Sequence, residues 1–450
     1  MRYKWIVLIL LFLLSLGFLY RIYFSPPQEP LERITGKQRI LVIAPHSDDE
    51  TLGPGGVISR ALHEGDQVKV VLITNGDGFT RAANMNFPEV TSKSEKYLRL
   101  ATLRQMETME ALDSLGLPEK EIIYLGYPDA GVSKLWFHHW DEDKPYFNPR
   151  IQYDYSPYAR SYTPGALYTG QHLLTDLEKI IKSYQPTDIY YPHPNDLHAD
   201  HWGTNCFIKY LLTQQGLNNI RQHLYLVHRG MWPTTLVLPG RRGLDPPPAL
   251  VDMGTSWVKF PLTADELERK KEAILMYHSQ VRIMRNFLLS FARPNELFGY
   301  YPDLPFPTKQ KQLLIPDPRA DSWQTRTHGD GDIIGLYGYQ TAKKLCLELE
   351  TREPLVHALN YEIHLVFLEK GQASKRADIF FKEGQPIMNV YSKDSLGQIP
   401  GMEEEFRGKR LYLTLPKSAL PPFKNLYLNA ESEAGNLLLD KTAWRMFTIE

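Results

Sequence analysis

Residues 39–50 read Arg-Ile-Leu-Val-Ile-Ala-Pro-His-Ser-Asp-Asp-Glu, from Arg39 to Glu50. An apolar run of strand length stops at Pro45 and passes directly into a cluster of histidine and carboxylate side chains. In open α/β proteins, the carboxyl ends of the strands are where ligands bind. The stretch therefore indicates a strand that delivers ligating groups to the edge of a sheet. A simpler interpretation is a polar turn in which Asp48 or Asp49 caps the next helix.

A second cluster of the same kind follows another predicted strand. Residues 193–201 read His-Pro-Asn-Asp-Leu-His-Ala-Asp-His. In a parallel sheet all strands end at one edge, so the two clusters can meet although they are far apart in sequence. Two histidines and a carboxylate around an open position are typical of catalytic zinc. We therefore predict that His46, Asp49 and His201 bind a divalent metal, with Asp48 free to move protons.

Strand and helix patterns alternate around these clusters. The β-branched run 67–74 predicts a strand, and the segment 94–115, which ends at Gly116, predicts a long helix. This alternation predicts an α/β domain with a Rossmann-like parallel sheet and helices on both faces, over residues 37–301. A strand-Gly-x-Gly-x-x-Gly-helix element is absent from the sequence, so dinucleotide binding is unsupported.

Composition narrows the choice of function. The 450 residues are enough for two domains, and the formal net charge of -1 provides no basic field for nucleic acid. The two cysteines, Cys206 and Cys346, are far apart and form neither a disulfide framework nor a cysteine-based zinc site. We expect no nucleic-acid partner, and the sequence leaves the oligomeric state open.

The amino terminus is apolar. Residues 5–20 would span about 24 Å as a helix, and extension to Phe24 gives about 30 Å, which matches a bilayer core. Large aromatic residues end the run where a cleavable signal needs small ones. We predict an uncleaved membrane helix at 1–24 and a proline-containing tether at 25–36. Basic residues flank both sides, and we expect a single-pass anchor in the cell membrane with an extracytoplasmic catalytic body.

The last third has a different pattern. Residues 302–325 contain several prolines and predict a linker. Residues 326–450 show short alternating segments separated by turn residues, which predicts a small antiparallel β-sandwich. No catalytic constellation is evident there. The domain could pack against the enzyme, mediate assembly or bind a glycan chain.

Five ordered motifs together resemble the PIG-L (LmbE-like) family of metal-dependent N-acetyl-sugar deacetylases. They are the cluster His46 to Glu50, Arg104 and Glu107 ahead of Leu115-Gly116, Leu125 to Asp129, His198 to His201, and a closing set of Lys271, Tyr277 to Gln280 and Arg293 to Leu297. Two features depart from the family pattern. Ser47 stands where the family usually has proline, and the segment between Asp129 and Thr169 is longer than in minimal members.

The resemblance implies a role for each matched residue. His46, Asp49 and His201 would hold Zn²⁺ or another divalent metal. Asp48 would act as general base on the metal-bound water, and His198 would stabilise or protonate the tetrahedral intermediate. The remaining two site residues would be Asp200, which orients a histidine, and Arg104. The implied reaction removes the acetyl group from an N-acetylhexosamine-containing glycan or glycoconjugate.

Two other functions stay open at this stage. The aromatic insert 135–168 and the β-domain suit a non-catalytic carbohydrate-binding or assembly protein on a deacetylase scaffold. The insert could equally be a self-packed loop that covers the sheet. A zinc amidase or esterase of a non-sugar substrate would use the same residues.

Overall fold

The computed structural model describes residues 37–234, 242–382 and 385–449. The predicted membrane helix at 1–24 and the tether at 25–36 lie outside these residues and stay predictions. Within the described residues, no helix combines the length and apolar character that crossing a membrane requires.

A mixed sheet forms the framework of the N-terminal region. Its seven strands are β1 Arg39–Ala44, β2 Gln67–Thr74, β3 Ile122–Tyr127, β4 Asp188–Pro192, β5 Arg221–Tyr225, β6 Ser256–Pro261 and β7 Asn295–Tyr300. Their spatial order is β3-β2-β1-β4-β5-β7-β6. Strands β1 to β5 pair in parallel, whereas β7 runs antiparallel to both β5 and β6. The prediction of a parallel sheet is right for five strands and wrong for the last two.

Helices cover both faces of this sheet, as predicted. They are α1 Asp49–Leu52, α2 Gly55–His63, α3 Thr80–Asn86, α4 Lys93–Ser114, α5 Val132–Phe137, α6 Gly170–Tyr184, α7 Ala199–Gln215, α8 Ala264–Met276 and α9 His278–Leu289. Alternate residues of β1 enter two separate cores. Leu41 and Ile43 belong to one core, and Ile40 and Val42 belong to the other. This is the pattern of a strand that is buried on both sides.

The topology brings the two predicted clusters together. Strands β1 and β4 are hydrogen-bonded neighbours, with Val42 opposite Tyr190. Strand β1 ends at Ala44 and β4 ends at Pro192. Because the strands are parallel, the segments 45–50 and 193–201 leave the sheet side by side at the same edge.

Two further sheets form the C-terminal region. Their strands are β8 Leu304–Pro305, β9 Gln312–Pro316, β10 Ile333–Gln340, β11 Lys344–Thr351, β12 Asn360–Leu368, β13 Lys375–Lys382, β14 Gln385–Asn389, β15 Glu403–Arg407, β16 Arg410–Pro416, β17 Asn425–Ala434, β18 Leu437–Lys441 and β19 Arg445–Thr448. One sheet has the order β15-β16-β11-β10-β9, and the other has β14-β13-β12-β17-β19-β8 with β18 paired to β17.

The two sheets share one hydrophobic core. Leu347 and Leu413 from the first sheet and Leu365 and Leu428 from the second belong to the same cluster of buried side chains. The predicted β-sandwich requires such an arrangement. Strands β8 and β9 fall within the segment predicted as a linker, 302–325, and pair with strands of these sheets. The domain boundaries themselves stay predictions.

Candidate functional site

The turn after β1 places Asp48 in an unusual backbone conformation. Its φ is 115°, in a region that residues with a Cβ rarely adopt. Asp48 occupies the N-cap position of α1, yet its side chain forms no capping hydrogen bond. The helix-capping interpretation of Asp48 is therefore wrong. Backbone strain of this kind costs about 1–3 kcal/mol and clusters at functional sites.

Two histidines direct ring nitrogens at Asp49. His46 Nε2 lies 3.1 Å from Asp200 Oδ2, and His201 Nδ1 lies 3.1 Å from Asp196 Oδ2. A hydrogen bond to a carboxylate requires the ring proton on that nitrogen. With a cation bound at Asp49, the other nitrogen of each ring would present its lone pair to that cation. These atoms, His46 Nδ1 and His201 Nε2, lie 3.1 and 3.0 Å from Asp49 Oδ2.

This convergence fits a divalent cation. His201 Nε2 and Asp49 Oδ1 are buried, and neither has a hydrogen-bond partner among the described residues. Buried acceptors without donors are costly, and a cation shared by the two rings and the carboxylate would satisfy them. Imidazole nitrogen and carboxylate oxygen suit zinc and related metals. The structure thus brings His46, Asp49 and His201 together as the sequence predicted.

Two more histidines adjoin these residues. Ligand atoms of His46, His198 and His201 lie within 4.8 Å of one another, and so do those of Asp49, His201 and His228. Burial lowers the pKa of His228 to about 3. The sequence analysis missed His228. It follows β5, so the same signal, a polar residue just past the carboxyl end of a parallel strand, would have found it.

His198 caps helix α7. Its Nδ1 accepts a hydrogen bond from the backbone N–H of Asp200, at 3.3 Å. The proton of the neutral ring must therefore reside on Nε2. Burial and the neighbouring His46 lower the pKa of His198, which favours this neutral form. His198 consequently offers a hydrogen-bond donor on a ring beside His46, since the two ring centroids are 4.6 Å apart.

Carboxylates hold the surrounding loops in place. Asp200 Oδ2 accepts a hydrogen bond from Ala130 N at 2.6 Å, in addition to its contact with His46. Asp129 Oδ2 accepts from Gly78 N at 2.8 Å, and its Oδ1 lies 3.8 Å from His46 Nε2. Asp129 and Asp196 were quoted within motifs but were not predicted as site residues.

Arg104 is placed against Asp48. Its Nη2 lies 3.2 Å from Asp48 Oδ2 and also donates to Ser47 O, while Nη1 donates to Gly76 O at 2.8 Å. Burial raises the pKa of Asp48 to about 7, and the Arg104 guanidinium opposes that rise. Both terminal nitrogens of Arg104 are thus occupied by the loops that carry the site.

Glu50 holds the backbone of Asp48 in place through a hydrogen bond. Glu50 Oε2 accepts a hydrogen bond from Asp48 N at 3.0 Å, and Oε1 accepts from Tyr277 OH at 2.5 Å. Burial raises the pKa of Glu50 to about 8. These two bonds connect the strained turn to the junction of α8 and α9, so the C-terminal helices of this region help to position Asp48.

Comparisons with known proteins find a family model and solved structures to which this chain is similar. Residues 41–211 match the family model described as PIG-L: GlcNAc-PI de-N-acetylase. A comparison with curated proteins returns no match. Three of the solved structures that match have TM-scores below 0.5 and identities below 25%. They carry no functional argument here.

The first of them is N,N'-diacetylchitobiose deacetylase from Pyrococcus horikoshii, 19% identical over 61% of this chain and 84% of that one, with a TM-score of 0.35. The second is the A40926 pseudoaglycone deacetylase, 18% identical over 59% of this chain and 97% of that one, with a TM-score of 0.37. The third is the 4-carboxy-2-hydroxymuconate hydratase GalB from Pseudomonas putida KT2440, 15% identical over 59% of this chain and 98% of that one, with a TM-score of 0.32. The matched segment 41–211 contains both histidine and aspartate clusters. Over residues 41–211, which are less than half of its length, the chain is therefore similar to the PIG-L family of de-N-acetylases.

Proposed function

We propose that this protein is a metal-dependent N-deacetylase that hydrolyses the acetamide of an N-acetylhexosamine-containing glycan or glycoconjugate. The observation that carries the proposal is the pairing of Asp48 with Asp49. Asp49 lies between two histidine nitrogens, while Asp48, its neighbour in the chain, is directed elsewhere by its φ of 115°. One carboxylate is thus available for the metal and the other for proton transfer.

The metal would be held by His46, Asp49 and His201, and when bound it would acidify a water molecule and polarise the acetyl carbonyl. Asp48 would accept the proton of the attacking water and pass it to the departing amine. The contacts of Asp48 support this role. Its backbone is held by Glu50 and its carboxylate by Arg104, so its position is defined before substrate binds.

His198 would stabilise the developing negative charge. Its Nδ1 accepts from a backbone donor, which leaves an N–H at Nε2 as the group available to the substrate. A fixed donor aimed at a developing oxyanion typically contributes about 100- to 1000-fold in rate. Arg104 would act through Asp48, because its terminal nitrogens are already hydrogen-bonded to Asp48 and to two backbone carbonyls.

The experiment that tests the proposal is acetate release by Asp48→Asn. General-base catalysis contributes about 10²- to 10⁴-fold, so we expect a loss of that size with unchanged bound metal. Asp252→Asn, at an exposed position, is the matched control and should retain full activity. Near-normal turnover by Asp48→Asn would remove the assigned base and with it the mechanism.

The substrate class needs a separate measurement. A chelator-reversible screen for acetate release across N-acetylated sugars, from monosaccharide to polymer, should find activity on at least one hexosamine conjugate. Release of other acyl groups from non-sugar amides or esters, without any sugar deacetylation, would favour the amidase or esterase alternative. Purified protein that binds no metal stoichiometrically would favour a non-catalytic role.

Membrane attachment is proposed from sequence alone. Residues 1–24 are apolar enough for a single span, and the extracytoplasmic location of the catalytic body follows only from the arrangement of flanking charges. Retention of the full-length chain in membranes washed at alkaline pH, and its release when residues 1–24 are deleted, would support the anchor.

A further inference from the structure

Three buried aspartates converge outside residues 41–211, the segment that matches the PIG-L family model. Asp317 follows strand β9, Asp440 lies in β18, and Asp321 lies in the loop between β9 and β10. One carboxylate oxygen from each lies within 4.8 Å of the other two. Asp317 is 4% exposed and Asp440 is 6% exposed, and the side chain of Asp321 is 7% exposed. Three buried like charges at this separation repel one another strongly.

The hydrogen bonds of this cluster are incomplete. Asp317 Oδ2 and Asp321 Oδ1 are buried, and neither finds a donor among the described residues. Asp440, in contrast, accepts from Ile333 N at 2.8 Å and from Lys441 N at 3.0 Å. More than nine-tenths of buried polar groups in proteins are paired, so the two orphaned oxygens point to a missing partner.

Nearby cations are already occupied. Arg229 Nη2 lies 2.5 Å from Asp321 Oδ2, and its Nη1 donates to Asn195 O at 3.2 Å. Lys441 is adjacent in sequence, but its Nζ lies over the Trp202 ring, 5.0 Å from the centroid. Neither side chain hydrogen-bonds to the orphaned oxygens, although the charges of both oppose the rise in the pKa of Asp317. Burial, followed by the charge of Asp440, raises the pKa of Asp317 well above its usual range.

We propose that Asp317, Asp321 and Asp440 bind a hard divalent cation of the calcium class. The three groups offer only oxygen, and carboxylate oxygens select calcium or magnesium over zinc or copper. Calcium tolerates an irregular set of oxygens better than magnesium does. The candidate active site differs in chemistry, since its ligands include two imidazole nitrogens.

The position of this site suggests its effect. Asp317 adjoins a strand of one C-terminal sheet, and Asp440 lies on a strand paired to the other sheet. Through Arg229 the cluster contacts the segment that carries His228 beside Asp49 and His201. A bound cation would therefore join both C-terminal sheets to a loop of the candidate active site, and we expect it to stabilise the folded chain.

The test uses the full-length chain loaded with zinc and depleted of calcium. Added Ca²⁺ at about 100 times its dissociation constant should raise Tm by about 2 °C or more. Equilibrium dialysis followed by metal analysis should find about one Ca²⁺ per chain. Asp317→Asn should lose both responses. Asp113→Asn, on the exposed face of α4, is the matched control and should keep both.

Each result that would contradict the calcium site can be distinguished from the others. If the aspartates share a proton instead of a cation, the wild type will ignore Ca²⁺ and Asp317→Asn will be as stable as the wild type or more so at pH 7, which overturns the proposal. Uptake of Mg²⁺ without uptake of Ca²⁺ overturns the choice of ion. Equal uptake by wild type and Asp317→Asn places the ion elsewhere. Should Asp317→Asn fail to fold, the calcium response of the wild type and of Asp440→Asn decides the question.

Discussion

At the scale of single residues, hydrogen bonds to carboxylates decide what each histidine can do. Asp200 and Asp196 lie within hydrogen-bond distance of His46 Nε2 and His201 Nδ1, so with a cation at Asp49 they would hold the ring protons on the nitrogens that face away from it. In His198 the backbone N–H of Asp200 donates to Nδ1, so the proton of the neutral ring lies on Nε2. Similar side chains therefore acquire different capacities, two as lone-pair donors and one as a proton donor.

We predict that His198→Ala lowers kcat by about 100- to 1000-fold and changes KM far less. The reason is that a donor aimed at the developing oxyanion acts in the transition state and not on the bound substrate. Steady-state acetate release measures both constants. His63→Ala, on the exposed end of α2, is the control and should behave as wild type. A large rise in KM at constant kcat would assign His198 to substrate binding.

Asp196→Asn tests the placement of His201. Asp196 Oδ2 lies 3.1 Å from His201 Nδ1, so the amide replaces a strong acceptor and weakens the preference for the Nε2 lone pair. Loss of such a supporting group typically lowers metal affinity by about 10- to 100-fold. Competition with a metal-binding dye measures this directly. Unchanged affinity would mean that packing alone orients the ring.

At the scale of elements, strand boundaries were easier to predict from the sequence than the break between the helices α8 and α9. The boundaries of β2 were predicted to the residue, because β-branched residues and flanking polar turns mark them clearly. Strand β6 was missed because it is largely solvent-accessible, and only Trp257 is buried along it. The capping-box pattern that starts at Thr263 predicts one helix to about Ile283, but the helix breaks at Tyr277, whose hydroxyl donates a hydrogen bond to Glu50. That break follows from a tertiary contact, which local sequence does not encode.

Two neighbouring lysines also show that local sequence does not reveal which side chain is buried. The family resemblance pointed to Lys271, yet Lys271 is exposed and pairs with Glu268. Its neighbour Lys270 is buried instead, and its Nζ contacts Glu296 Oε1 at 2.5 Å and Leu52 O at 2.9 Å. Identical residue types in adjacent positions differ only in which side of α8 faces the sheet.

The start of α8 gives a pH-dependent prediction. Glu266 completes a capping box with Thr263 and also accepts two hydrogen bonds from Arg60. The Arg60 side chain lowers the pKa of Glu266 from 4.5 to about 2. Because the folded-state pKa is the lower one, Glu266 stabilises the fold above pH 4.5 and loses this contribution as the pH falls towards 2.

Glu266→Gln should therefore lower the free energy of unfolding by about 1 kcal/mol at pH 7. The difference from wild type should shrink steadily between pH 4.5 and pH 2. Urea unfolding at several pH values measures it. Glu268→Gln, in an exposed pair with Lys271, is the control and should change little at any pH. A difference that stays constant with pH would show that the charge of Glu266 is irrelevant.

The aromatic insert is largely a packed part of the fold, and its carbohydrate-binding role stays a prediction. Trp136, Trp140 and Tyr168 are buried in the main core, so much of it packs as structure. Tyr158, however, donates a hydrogen bond to Asp77 Oδ2 at 2.7 Å. Asp77 lies in the turn after β2, at the edge that bears the candidate active site. The insert therefore reaches the margin of that site through one hydroxyl.

Tyr158→Phe should lower the free energy of unfolding by about 1–3 kcal/mol. The change removes the donor to a buried carboxylate whose other oxygen, Oδ1, has no partner among the described residues. Thermal or urea unfolding measures the loss. Tyr155→Phe, at a ring that is 38% exposed, is the control and should cost less than about 0.5 kcal/mol. Equal effects of the two changes would contradict a specific role for the Tyr158 hydroxyl.

At the scale of the whole molecule, the N-terminal and C-terminal regions share a core. Buried residues of the first sheet, of α5 and α7, and of both C-terminal sheets belong to one cluster. Trp136 is central to this contact, with Tyr427 and Trp444 within 6.1 and 5.7 Å of it between ring centroids. The sequence predicted both regions and left open that the C-terminal region packs against the enzyme, but it did not indicate which residues form the junction. Aromatic residues in an irregular segment do not reveal which distant strand they face.

The shared core predicts a single unfolding transition, and Arg376 provides its test. Its guanidinium lies between two rings, 4.2 Å from the centroid of Trp136 and 4.0 Å from that of Trp140, and Nη1 donates to Trp136 O at 2.6 Å. Arg376→Ala removes two desolvated cation–π contacts and leaves a buried carbonyl unpaired, a loss of about 3–5 kcal/mol. Calorimetry should show a markedly lower Tm.

The matched control for Arg376→Ala is Arg407→Ala, at an exposed cation that lies 5.9 Å from the Tyr412 centroid. It should leave the Tm nearly unchanged because solvent screens the contact. If the junction holds the two regions in one cooperative unit, Arg376→Ala will either lower the single transition or divide it into two, whereas Arg407→Ala will do neither. Two transitions already present in the wild type would mean that the regions unfold independently, and the shared core would then add contact without cooperativity.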